Sequence, residues 1–321
     1  MIQVFPHRKE LVKYIWLHIQ LPTYTEALSL TFEDTTAKSL NGRCIAHDLF
    51  MLFSILSSWD PDLCRLTLEV TFQSPSDSHY AFRHLNFGGK EHKTIRELEL
   101  ARPSTRGQDT DRLALYFHDR DHVWRYSMPR LFGRLEVGFV ILGLPEVVVV
   151  DKLILRRQVR RQLCAHSLMV LFRRLPQLKS IIYESSGVHW LHNEHRHYAE
   201  ELESLFRIGL PQTLRDISLF QDCDQLLSQV PGMPSYRFNR YLAEQVARRS
   251  LDLRQLHISY LIDAVEFIQA YQRSWAWHHL ESIALTSPLL TEEGQIQQIT
   301  MLLYMAGQIA CAMPKLKLFA L

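Results

Sequence analysis

Glycine and cysteine are scarce in this 321-residue chain, with 12 and 5 residues, and neither sign of charge dominates, at 36 Lys+Arg against 34 Asp+Glu. The cysteines Cys44, Cys64, Cys164, Cys223 and Cys311 are odd in number, scattered, and never spaced as CxxC. That argues against a secreted disulfide framework or a zinc ribbon and for a reducing compartment. A net charge of +2 exerts no global pull on nucleic acid or anionic lipid. Long apolar runs are also missing, since a spanning helix needs about 20 residues. The two longest stretches, 137–150 and 301–313, are interrupted by Pro145 and Glu146 and by Gln308. Near the N-terminus Lys9, Glu10, Lys13 and His18 break up any signal-peptide core. The expectation is a cytoplasmic or nuclear protein with no membrane partner.

What the chain does have is 47% hydrophobic residues in a recurring phrase, apolar-x-x-apolar-x-apolar. It begins at Leu63, Ile95, Val150, Leu178, Leu214, Leu253, Leu280 and Leu316, with Val12 as a further candidate. Leu175-Pro176, Leu210-Pro211 and Met313-Pro314 stand just ahead of three of these phrases, where proline ends a helix and turns the chain extended. The stretches between have helical period. Ile45 to Trp59 places Ala46, Leu49, Phe50, Phe53 and Leu56 on one face behind a capping Asn41. Cys164 to Leu175 does likewise with Leu168, Leu171, Phe172 and Leu175. Further helices are expected over 199–210, 238–248, 263–272 and 291–313, with Asp263 and Thr291 as N-caps.

Strand and helix therefore alternate, which implies parallel strands joined by helical crossovers. From Val150 onward the phrases start 27 to 39 residues apart, room for one strand, one helix and two connections. The expected fold class is α/β, an irregular leucine-rich-repeat-like solenoid with strands on the concave face and helices on the convex face. The asparagine ladder of such repeats is missing, since its position holds Thr71, Pro103, Gln158, Ser186, Asp222, Leu261 and Pro288. A doubly wound open sheet is the rival. One domain, 1–321, is expected, with an inserted loop near 101–130 separating an N-terminal half, 1–100, from a C-terminal half, 131–321.

Catalytic and metal chemistry find little support. His189, His192, Glu194, His195 and His197 could meet on a helix, but no HExxH or cysteine partner accompanies them. His118, Asp119, Asp121 and His122 read as a charged surface turn. Gly88-Gly89-Lys90 lacks the remaining residues of a phosphate loop. The basic run Arg156, Arg157, Arg160, Arg161, Arg173 and Arg174 has only Phe172 beside it, so it reads as a solvated rim or a patch for an acidic client rather than a nucleic-acid stripe. No catalytic residue, metal or cofactor is expected.

Several longer phrases run in the order of a known family. They are FPHRKELVKYIWLHIQLPTYT (Phe5 to Thr25), LFSILSSW with LTLEV (Leu52 to Val70), SPSDSHYAFRHLNFG (Ser74 to Gly88), VVVVDKLILRRQVRRQL (Val147 to Leu163), LPQLKSIIYES (Leu175 to Ser185), LPQTLRDISLFQD (Leu210 to Asp222) and WHHLESIALTSPLLT (Trp277 to Thr291). Over nearly its whole length the chain resembles fungal F-box proteins with degenerate leucine-rich repeats and a C-terminal domain of unknown function. The resemblance implies a client-binding region of a substrate receptor for cullin-RING ubiquitin ligases. Leu21-Pro22-Thr23 is not the opening phrase of an F-box, and the ligase adaptor is expected as a partner only if an F-box lies upstream of Met1. The end at Leu321, inside an expected strand, suggests a truncated gene model or a clipped chain.

In the solenoid reading, residues flanking the central apolar position of each phrase face a protein client. The binding candidates are Arg65, Glu69, Lys152, Arg156, Glu184, Asp216, Phe220 and His257, with Ile154 and Ile182 as further apolar anchors. The functional expectation is a non-enzymatic protein-interaction module. The alternatives are a stand-alone scaffold without a ligase link and a metal-dependent enzyme on an open sheet.

Overall fold

Each described apolar phrase leads into a strand. The computed structural model describes residues 6–62, 65–80, 130, 133–137, 143–156, 161–185, 200–221, 239–291 and 294–321. The phrase at Ile95, the inserted loop up to residue 129, the Gly88–Lys90, His118–His122 and His189–His197 clusters, and Arg157 and Arg160 lie outside the described residues.

The strands are β1 (Tyr14–Gln20), β2 (Leu66–Gln73), β3 (Arg134–Leu135), β4 (Val150–Leu155), β5 (Gln162–Leu163), β6 (Ser180–Ser185), β7 (Asp216–Gln221), β8 (Gln255–Asp263), β9 (Ser282–Thr286) and β10 (Leu318–Ala320). Eight of them form one sheet in the order β1-β2-β4-β6-β7-β8-β9-β10, and β3 and β5 pair separately. Every neighbouring pair is parallel. The order rises steadily along the chain and never reverses, so the crevice that a doubly wound sheet forms at its switch point is not built here.

Leaving aside the crossover from β2 to β4, most of which falls outside the described residues, a helical segment lies in each crossover. These are α1 (Glu26–Ser29) and α2 (Thr35–Leu56) before β2, α3 (Ala165–Arg173) before β6, and a helical turn passing into a π-helix over Leu205–Gly209 before β7. Then come α4 (Arg240–Arg249) before β8, α5 (Ala264–Gln269) before β9 and α6 (Ile296–Ala310) before β10. From α3 to α6 each helical segment touches the next, so they form one layer. Beneath it runs an aliphatic ladder whose register is Ile15, Leu68, Leu153, Ile181, Ile217, Leu256, Ile283 and Phe319, with a second of Leu17, Val70, Leu155, Tyr183, Leu219, Ile258 and Leu285. Strand side chains alternate between the two faces, so a period-two apolar pattern places one face in this core.

The first leucine of the phrase has a defined task. Leu178, Leu214 and Leu253 are fully buried and close a tight turn by donating their N–H to the carbonyl three residues back, at Leu175, Pro211 and Ser250. The next residue then starts the sheet ladder: the N–H groups of Arg215, Arg254, Glu281 and Lys317 bond to the carbonyls of Lys179, Arg215, Arg254 and Glu281.

Some local expectations are corrected. Helix α2 starts ten residues before Ile45, because the Asp34 carboxylate caps it by accepting from the Ala37 N–H at 2.7 Å. Asn41 lies inside that helix, buried, and donates to Glu33. Phe50 is 47% exposed, on the outer side of α2 with Met51 and Ile55, and not on the core face. The last helix begins at Ile296, and Thr291 does not cap it. Asp263 does cap α5, accepting from Val265 N–H.

Candidate binding face

The face of the sheet opposite the helical layer is the candidate site. In register across it run three rows. The first is Tyr14, Thr67, Lys152, Ser180, Asp216, Gln255, Ser282 and Leu318, and the second is Trp16, Glu69, Ile154, Ile182, Ser218, His257, Ala284 and Ala320. The third holds Glu184, Phe220 and Ser259 on the C-terminal strands and His18 and Thr71 on the N-terminal ones. From β6 to β9 these residues are half-buried while their alternates are buried, so no described element covers this side.

Seven of the expected site residues fall on or beside this face, and Arg65 does not. Arg65 is exposed and precedes β2, one residue short of the ladder. Glu69 and Arg156 are brought together, the Arg156 Nε lying 3.2 Å from both carboxylate oxygens. Its hydrogen bond to Glu69 holds the Arg156 guanidinium above its ordinary pKa, with the Glu184 carboxylate adding attraction. The Tyr14 hydroxyl donates to the same carboxylate. That bond, with burial and the carboxylate charge, raises the Tyr14 pKa. Lys152 sits in register between Thr67 and Ser180. Asp216 takes a two-pronged bond from Arg254, at 3.1 and 2.8 Å. His257 Nε2 lies 2.8 Å from Ser282 Oγ.

Phe220 is met edge-on by Tyr260, ring centroids 5.8 Å apart. Tyr260 reaches it because β8 bulges. The register with β9 jumps between Ile258 and Asp263, and Tyr260 takes a positive φ of 61°. Ile154, expected as an apolar anchor, is only 4% exposed and is corrected to a filled floor position beside Glu69.

The sequence reading missed the aromatic end of the face. Trp16 is 63% exposed, yet its indole N–H is fixed by donation to Thr71 Oγ1 at 2.9 Å. His18 holds the same hydroxyl. Alternation from the Val12 phrase points Tyr14, Trp16 and His18 to one side, and that signal was present in the sequence.

Within the basic run Arg173 is exposed and Arg156 lies on the sheet face, but Arg161 does not face solvent. Arg161 is 2% exposed, paired with Glu33 at 2.5 Å and facing Asp77 at 3.7 Å. Burial lowers its pKa, but the two carboxylates outweigh this and hold it raised. Arg130 donates to the Thr31 and Phe32 carbonyls and stacks over Tyr24, whose hydroxyl donates to Asp77. These charges clamp the first crossover.

Burial pushes the Cys164 thiol pKa up, and its sulfur caps α3. No group of three or more His, Cys, Asp or Glu able to hold a metal ion occurs among the described residues. No described helix is long and apolar enough to cross a membrane.

Residues 209–321 match a family of unknown function, DUF6546. The C-terminal part of the chain is thus a domain of unknown function, containing β7 to β10 and α4 to α6. Its start falls between β6 and β7, which pair along their whole length, so the sheet continues unbroken across that point. No curated protein matches the chain.

Proposed function

We propose that this chain is a non-enzymatic protein-recognition module, a leucine-rich-repeat-like solenoid whose open sheet face holds a protein client. Parallel strands in unbroken sequence order, with the helices in one layer behind them, support the solenoid reading. The observation that carries the function is the open face itself. It sets an exposed, hydrogen-bonded tryptophan at one end and a Phe220–Tyr260 pair towards the other around charges of both signs. Anchored aromatics amid paired charges suit a protein surface better than a small molecule, which needs an enclosed pocket. The resemblance to F-box receptors extends this to a client of a cullin-RING ligase, with docking to the adaptor supplied by a separate F-box segment.

The test is site-specific photocrosslinking in cells. A benzophenone side chain at Phe220 or Trp16 is expected to give discrete protein adducts, and one at exposed Tyr241 on α4 is expected to give none. Adducts from Tyr241 alone would reject the open face. Recovery of the ligase adaptor with the native full-length product supports the receptor reading; adducts without adaptor favour a stand-alone scaffold.

A further inference from the structure

A second surface lies at a different edge of the sheet, where the tight turns enter the strands. Arg207, Ile208, Arg215, Arg249, Arg254 and Lys315 are among the residues that line a groove of about 920 Å³. It crosses the turns before β7, β8, β9 and β10, three strand spacings or about 14 Å, which an extended peptide covers in about four residues.

Five cationic side chains line it against two carboxylates. Arg254 is engaged by Asp216, and Glu281 is engaged by Lys317. Arg249, its side chain 13% exposed, donates to the Pro211 carbonyl and, at 3.5 Å, to the carboxylate of exposed Asp252. Arg215 donates to the neutral carbonyls of Gln212 and Leu214 and meets no carboxylate among the described residues. Among the described residues Arg207, Arg215 and Lys315 form no ion pair. Burial lowers the Arg249 pKa, the Asp252 carboxylate partly offsets this, and the neighbouring Arg215 charge lowers it further. One wall is apolar: Ile208 is 70% exposed beside half-buried Leu210.

We propose that this groove binds a short acidic peptide segment of a partner protein, its carboxylates on Arg207, Arg215 and Lys315 and one apolar side chain against Ile208. A single small anion would leave most of this length empty. A nucleic-acid strand would need exposed aromatic rings to stack on, whereas Phe206 is buried and His279 is the one other ring in the lining.

The experiment is fluorescence anisotropy on the whole chain, with a labelled Asp/Glu peptide carrying a central Leu as probe. Binding is expected at low salt and should weaken as salt rises. The double variant Arg207→Glu/Lys315→Glu is expected to weaken it about tenfold or more, since rim charges of the wrong sign oppose association. Both side chains are exposed and unpaired among the described residues, so the variant's melting temperature should match the parent. Arg207→Gln, with no reversed charge, should give a smaller loss in the same direction. Ile208→Ser should weaken the Leu peptide and leave its Leu→Ser counterpart unchanged. Trp16→Ala, on the open face, should leave this binding intact, which separates this site from the client face. Equal binding by parent and double variant overturns the proposal. So does tighter binding of a single-stranded oligonucleotide or of inorganic polyphosphate, or no binding at low salt.

Discussion

Trp277 shows how one side chain fixes a turn. It is fully buried, stacks on Tyr271 with centroids 5.7 Å apart, and donates its indole N–H to Ser250 Oγ at 2.7 Å. Trp277→Ala should cost about 3–5 kcal/mol in urea unfolding, the usual loss for a large aromatic leaving a cavity. Ser250→Ala keeps the packing but strands the buried N–H, so a smaller loss of about 1–3 kcal/mol is expected. If the serine variant is as stable as the parent, the hydrogen bond contributes nothing. Glu266 gives the pH-dependent case. One of its carboxylate oxygens is buried without a hydrogen-bond partner among the described residues. Burial first, and Asp263 second, raise its pKa above the ordinary 4.5. A carboxyl raised on folding is most favourable while protonated. Its contribution is therefore full below pH 4.5 and lost as pH climbs through the folded value. Glu266→Gln should raise the melting temperature at neutral pH and leave it unchanged below pH 4.5, measured by calorimetry at both.

Helix α2 is where propensity and packing disagree. Alanine normally improves on glycine inside a helix by about 1 kcal/mol. At Gly42, however, an added Cβ would stand 2.6 Å from the Glu136 carbonyl oxygen, a backbone atom that cannot swing aside. Overpacking costs about 1–3 kcal/mol, so Gly42→Ala should destabilise by about 1 kcal/mol net. A stabilised variant in denaturant titration would mean that the α2 contact with residues 136–137 is loose. The helix was visible in the sequence, but its start was not: Asn41 and Asp34 are both competent caps, and Asp34 caps because Asn41 is already committed to Glu33. The β8 bulge was equally invisible. Nothing about Tyr260 favours a positive φ, and only pairing with β9, including the bond from Tyr260 N–H to Thr286 Oγ1, imposes it.

Across the whole molecule, the charge cluster at Arg161 ties distant segments together. Glu33 comes from the link before α2, Asp77 from the turn after β2, and Arg161 from the approach to β5. Removing the guanidinium takes the nearest counter-charge from two buried carboxylates, so Arg161→Met should cost about 3–5 kcal/mol. Urea unfolding checks this, and a loss under about 1 kcal/mol would assign the cluster no role in holding the first crossover. The cluster also shows why Arg161 departs from the rim expected of the basic run. Charge spacing along the chain reads as a rim, but whether a guanidinium meets water or a carboxylate depends on segments more than eighty residues away.

From its own pattern the sequence determined the alternation of strand and helix, the parallel pairing and the strand starts. It also determined which side of each phrase faces the helices, because period-two aliphatics and helix-stopping prolines act locally. Seven of the eight expected face residues follow from that alternation, as do Trp16 and Tyr14 had the Val12 phrase been followed through. The tertiary structure alone decided which charges are spent internally, as Arg161 on Glu33 and Asp77 and Arg156 on Glu69, and which remain free to meet a partner. It alone aligned Arg207, Arg215 and Lys315 along one groove. Ion pairs and grooves join residues far apart in the chain, and their energy depends on burial that no local pattern encodes.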